Sequence, residues 1–124
     1  KMIGVTKGYE DKVSVEVIDS EKLQELGMNL FHGVGRGAVV PPRAVIVNYK
    51  GNPDSDEVEY ALVGKGVTYD TGGLNLKPTG YIEDMHGDKG GSVAVIGALQ
   101  GALELGIKKN VVFACGFAEN AIGS

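Results

Sequence analysis

Residues 90–120 read "GGSVAVIGALQGALELGIKKNVVFACGFAEN". The segment 90–105 is rich in Ala and Gly and apolar on most sides. A helix apolar all round must be buried, and its small residues allow close approach to a sheet. Gly106 supplies a C-terminal stop. The segment 110–120 is continuously apolar, as in a strand covered on both faces. A buried helix leading into a covered strand predicts an α/β protein with a mixed β-sheet flanked by helices.

The flanking segments extend this frame. "KVSVEVID" (12–19) alternates Val13, Val15 and Val17 with polar residues and predicts a strand. Asp19 or Ser20 can cap the helix that follows. Leu23, Leu26, Leu30 and Phe31 then fall at helical spacing on one face. Gly33, Gly35 and Gly37 are expected to end that helix, and Pro41-Pro42 prevent its resumption. "RAVIVNY" (43–49) and "YALVG" (60–64) read as strands paired in a hairpin across the acidic turn at 51–59. Residues 65–88 read as a long loop leaving a strand end, the usual place for a ligand site in an open α/β sheet. The expected order is β-α-β-β-loop-α-β.

Bulk properties narrow the function. A net charge of −4 argues against a nucleic-acid partner held by electrostatics. No apolar run approaches the roughly 20 residues that cross a bilayer, and "KMIGVTKGYEDK" at the start carries no secretory pattern. Neither a nucleic acid nor a membrane is expected as a partner. The single cysteine, Cys115, forms no intrachain disulfide and fits a reducing compartment; its apolar neighbours make it a buried small hydrophobe. Twenty glycines in 124 residues are about twice the usual share. They lie between apolar segments, which points to a site built from backbone as well as side chains.

The richest glycine stretch is "GKGVTYDTGGLNLKPTG" (64–80). Three readings compete for its two lysines and lone aspartate: a phosphate cradle, an ordinary turn, and half of a metal site. The phosphate reading lacks a G-x-x-x-x-G-K-[ST] string. "GVGRGA" (33–38) fits a dinucleotide pattern only formally, because it follows a helix and runs into Pro-Pro. Asp70-Thr71-Gly72-Gly73 makes a good turn. For a metal, Asp70 and Asp88 bracket the loop, and carboxylate oxygens suit Mg, Mn and Zn. Spacing alone does not choose among these.

A resemblance does. "VGKGVTYDTGGLNLKPTGYIEDMHGDKGGSVAVIGAL" (63–99) closely resembles the active-site segment of the leucyl aminopeptidase family, dinuclear metallo-exopeptidases. The likeness continues through "GVGRGAVVPPRAVIVNYKGN" and "NVVFACGFAENAIGS" and covers at least residues 20–124. It implies Lys65, Asp70 and Asp88 as metal ligands, Lys65 as the neutral amine and Asp70 contacting both metals. It implies Lys77 as a catalytic lysine that stays charged and stabilises the oxyanion. It further implies two divalent metal ions, Zn or Mn with Mg or Co as alternatives, and a bicarbonate held by an arginine. The implied substrates are peptides with a free N-terminus, leucine-preferring. The implied setting is a cytoplasmic homo-hexamer.

Departures from the family pattern are His86 and Lys89 around Asp88. His86 is expected outside the ligand set, and Lys89 is expected either to pair with Asp88 or to weaken the metal. His32 and Glu119 are expected to be structural. The family's downstream Asn-Thr-Asp-Ala-Glu-Gly-Arg motif, with further ligands and the arginine, does not occur in these residues. Residues 1–124 are therefore expected to be a single partial catalytic domain, inactive alone. The rival reading is a non-catalytic aminopeptidase-like structural or binding subunit.

Overall fold

The Asp19 carboxylate accepts the Lys22 backbone N–H at 2.9 Å and caps the first helix, as its position predicts. From this start the computed structural model, which describes residues 1–123, runs through seven main elements. They are β1 (Val13–Ile18), α1 (Ser20–Glu25), α2 (Asn29–Gly35), β2 (Arg43–Lys50), β3 (Tyr60–Asp70), α3 (Gly90–Leu105) and β4 (Asn110–Asn120). Short 3-10 turns lie at Gly4–Thr6 and Met85–Gly87.

The single expected helix is two. Gly27 takes φ +70° after Leu26, a left-handed conformation that stops α1. The chain restarts at Asn29, so Gly33 and Gly35 lie inside α2 rather than beyond a helix end. Leu26 and Leu30 do not share the buried face: Leu30 is 91% exposed. Leu23 is buried, and with Ile18, Ala44 and the partly buried Phe31 it forms a small cluster on one side of the sheet.

The four strands form one mixed sheet in the order β1-β2-β4-β3. β2 is antiparallel to both β1 and β4, whereas β3 runs parallel to β4. The expected β2–β3 hairpin is absent, because β4 lies between those two strands. The physical reason is burial. β4 is apolar on both faces and is best placed in the sheet interior, and α3 is long enough to carry the chain across to a parallel position beside β3.

The second correction concerns β3. It continues to Asp70, past the expected end at Gly64, so Lys65 and Asp70 sit on a strand and not in a loop. Pairing with β4 extends it: Lys65 lies opposite Gly116 and Asp70 opposite Asn120, with a register irregularity between Val67 and Asp70.

The main core lies between the sheet and α3. Val95, Leu99, Ala102 and Leu103 of the helix meet Val45, Val47, Tyr49, Val111, Phe113 and Cys115 of β2 and β4. Leu99 is fully buried, and burial of such a side chain is worth about 1.5–3 kcal/mol. Burial also pushes the Cys115 thiol pKa up, in keeping with a packing role. On β1, Val15 and Val17 face the same side as Val47 and Val45 but stay partly exposed at the sheet edge. At the far end of α3, Gly106 adopts φ 59° and caps the helix through its N–H, as its position predicts.

Candidate metal centre at the end of β3

Two carboxylates and two ammonium groups gather where β3 ends and α3 begins. The Lys65 Nζ lies 2.7 Å from Asp88 Oδ2, and the Lys77 Nζ lies 3.4 Å from Asp70 Oδ2. Lys65 and Asp70 both lie on β3, and Asp88 follows a turn that packs against that strand, so the two ion pairs are neighbours. The tertiary structure thus brings together all four residues singled out in the sequence.

Close packing of α3 on β3 makes this convergence possible. A Cβ on Gly64 would stand 2.6 Å from the Gly91 carbonyl oxygen, and one on Gly91 would stand 2.9 Å from the Lys65 nitrogen. Only glycines permit that approach. Gly90, by contrast, faces open space. Asp88 is delivered by the 3-10 turn at Met85–Gly87, which the Tyr69 hydroxyl ties back to β3 by donating to the Ile82 carbonyl at 2.8 Å.

Lys77 is delivered by a tight turn. Gly72 and Gly73 take φ +90° and +67°, which side-chain-bearing residues rarely adopt. A Cβ on Gly72 would stand 2.3 Å from the Asn75 carbonyl oxygen. The Lys77 N–H donates to the Thr71 carbonyl at 2.8 Å and closes the turn.

Asp70 is the most constrained member. Its Oδ1 accepts the Gly72 N–H at 3.0 Å and the Asn120 side-chain amide at 2.6 Å. Burial favours its protonated form. Hydrogen bonds from Gly72 and Asn120, with the Lys77 ammonium beside it, outweigh that, and its pKa lies below the ordinary aspartate value. Asn120 and Thr71 escaped the sequence reading. A polar residue at a strand end carries no pattern of its own, and only the β3–β4 register brings Asn120 to Asp70.

Lys89 does not pair with Asp88. Its ammonium donates to the Thr68 carbonyl at 3.2 Å and to the His86 carbonyl. The His86 ring is exposed, with Nδ1 against the Glu83 carbonyl at 3.4 Å.

The cluster fits a divalent cation in one specific respect. Asp88 Oδ2 is buried and has no aligned hydrogen-bond donor, although the Lys65 ammonium lies beside it. A buried carboxylate oxygen in that state is stabilised by a cation. The two carboxylates would supply oxygen donors suited to Mg, Mn or Zn, and Lys65 could add a nitrogen only as the neutral amine. Among the described residues no group of three or more His, Cys, Asp or Glu gathers to hold a metal. No helix among the described residues is long and apolar enough to cross a membrane.

Comparison with known proteins agrees with this geometry. Residues 3–124 match the sequence profile of the cytosol aminopeptidase family, catalytic domain. A probable cytosol aminopeptidase of Pseudomonas fluorescens is 44% identical over 114 residues, covering 92% of this chain and 23% of that protein. One from Fusobacterium nucleatum is 45% identical over 109 residues, with 88% and 23% covered. The apo leucyl aminopeptidase of Trypanosoma cruzi superposes with a TM-score of 0.85 at 38% identity, covering 99% of this chain and 23% of that one. The bottromycin maturation enzyme BotP in complex with Mn superposes with a TM-score of 0.82 at 36% identity, covering 99% and 26%. The chain thus spans about a quarter of the length of these relatives. With its mixed sheet, its glycine-lined contact between β3 and α3 and its paired lysines and aspartates, the chain belongs to the cytosol aminopeptidase family.

Proposed function

We propose that this chain forms part of a metal-dependent aminopeptidase that releases N-terminal residues, leucine among them, from peptides. The observation that carries the reading is the convergence of Lys65, Asp70, Lys77 and Asp88 at the end of β3. Family membership supports it, as does the Mn complex of BotP, a structural relative.

In this reading Lys65, Asp70 and Asp88 hold divalent cations, Zn or Mn. Bound there, two cations supply Lewis-acid polarisation of the peptide carbonyl and an activated water. The chain's own residues do the rest. Asp88 offers a buried oxygen that accepts no aligned hydrogen bond. Asp70 is kept below the ordinary aspartate pKa by the Gly72 N–H, the Asn120 amide and the Lys77 ammonium, ready to ligate without losing a proton. Lys65 must give up a proton to ligate, which couples binding to pH. Lys77 keeps an ammonium beside Asp70 and donates to the carbonyl oxygen as it gains negative charge. In this reading further ligands, a bicarbonate-binding arginine, a homo-hexamer and a cytoplasmic location are proposed for the aminopeptidase of which this chain forms part.

The test is metal content after loading with Mn or Zn, beside an Asp70→Asn control. Retention by the wild type and loss in the variant are expected. Equal retention by both would remove Asp70 from the ligand set. The 124-residue chain is expected to hydrolyse no leucyl amide. A rate comparable to that of a full-length family member would overturn the partial-domain reading.

A further inference from the structure

We propose that Asn120, at the end of β4, is a positioning residue that locks the Asp70 carboxylate, turning Oδ2 toward the cation side of the cluster. The inference rests on the metal reading above only for its consequence for affinity. Its geometric half stands alone.

Asn120 is joined to the β3 end by three hydrogen bonds. Its side-chain Nδ2 donates to Asp70 Oδ1 at 2.6 Å. Its backbone carbonyl accepts both the Thr71 N–H, at 3.0 Å, and the Thr71 hydroxyl, at 2.7 Å. Thr71 Oγ1 in turn accepts the Gly73 N–H at 3.1 Å, and the Thr71 carbonyl accepts the Lys77 N–H. One residue therefore orients Asp70 through its side chain and, through its backbone, anchors the turn that presents Lys77.

The bonds divide the work of the two carboxylate oxygens. Oδ1 is occupied by Asn120 and Gly72, while Oδ2 faces Lys77. A carboxylate whose second oxygen is fixed cannot rotate freely, so less ordering is needed when Oδ2 takes a ligand. Partners that hold a ligating carboxylate in this way change metal affinity about 10–100-fold when removed. The Asn120 side chain presents its two ends to different neighbours. Its NH₂ meets the carboxylate, and its Oδ1 stands where a Cβ on Gly73 would be 2.8 Å away. An aspartate of the same shape would set a second negative charge against Asp70.

The first experiment is NMR of the ¹⁵N-labelled chain, following the side-chain amide of Asn120. A carboxylate-bonded amide proton is expected downfield and slow to exchange, and Asp70→Ala should abolish both properties. An Asn120 amide indistinguishable from exposed ones, or unmoved by Asp70→Ala, overturns the proposal whether or not metal binds. The second experiment titrates Mn²⁺ alone, following the free ion by EPR, into wild type, Asn120→Ala and Asn120→Asp. Asn120→Ala removes the donor without adding charge, whereas Asn120→Asp keeps the shape and sets a second negative charge beside Asp70; amide dispersion in the spectrum confirms that each variant is folded. Affinity about 10-fold weaker or more is expected for Asn120→Ala. Wild-type affinity in Asn120→Ala overturns the positioning role. A wild type that holds no Mn²⁺ while its Asn120 amide depends on Asp70 removes the metal reading and upholds the orientation of Asp70 by Asn120.

Discussion

At the scale of single residues, the glycines fall into distinct physical classes that substitution separates. Gly106 has a positive φ and open space around the position of a Cβ. Gly106→Ala therefore meets strain alone and is expected to cost about 1–2 kcal/mol. Gly72 has a positive φ, and its Cβ would also fall 2.3 Å from a backbone oxygen that cannot move without opening the turn. Gly72→Ala is expected to cost more than Gly106→Ala and to displace Lys77, whose N–H closes the same turn. Denaturant midpoints of the two variants check the order; equal midpoints would contradict it. Asp70, Asp88 and Lys65 were legible as residues because their motif is long. Asn120 was not, since a strand-end asparagine looks the same with or without a carboxylate opposite it.

At the scale of elements, α3 is the piece that joins core and site. Its buried face anchors it on β2 and β4, and its first turn meets β3 at Gly64. Leu99→Ala, at a fully buried position, is expected to cost roughly 2–5 kcal/mol, measured by chemical denaturation. At the other end of the sheet, Glu59 just before β3 is tied to the start of β4. It accepts the Lys109 ammonium at 2.6 Å and the Asn110 N–H at 3.1 Å. The Lys109 hydrogen bond, followed by that of Asn110, holds the Glu59 pKa below the ordinary glutamate value. A carboxyl with a depressed native pKa stabilises the fold above its unfolded pKa, and that contribution is lost as pH falls through the native one. Glu59→Gln is therefore expected to be less stable than wild type at pH 7. The gap should close as pH drops below the carboxylate range, and midpoints at several pH values read it directly. A gap that stayed constant with pH would assign the effect to packing.

At the scale of the whole molecule, the order β1-β2-β4-β3 sets a gradient of protection. β4 is hydrogen-bonded on both sides and covered by α3, whereas β1 and β3 are edge strands with one bonded side each. Hydrogen exchange should be slowest for Val111–Ala118 and faster for outward-facing amides of β1 and β3. Protection highest in β1 would contradict the topology.

Local chemistry was enough to determine much of this. The bounds of α3 and β4, the Asp19 cap and the Gly106 stop follow from patterns held within a few residues. The helix at 20–35 was misread because spacing alone suggested a continuous apolar face, while Gly27 broke the chain and left Leu30 in solvent. The tertiary structure alone decided that β4 separates β2 from β3, and that "KGVTYD" (65–70) is strand. Val67, Thr68 and Tyr69 favour a strand, but the flanking Lys65, Gly66 and Asp70 are poor strand formers. They are held extended by β4, whose partner residues lie about fifty positions away and leave no local trace in the segment itself.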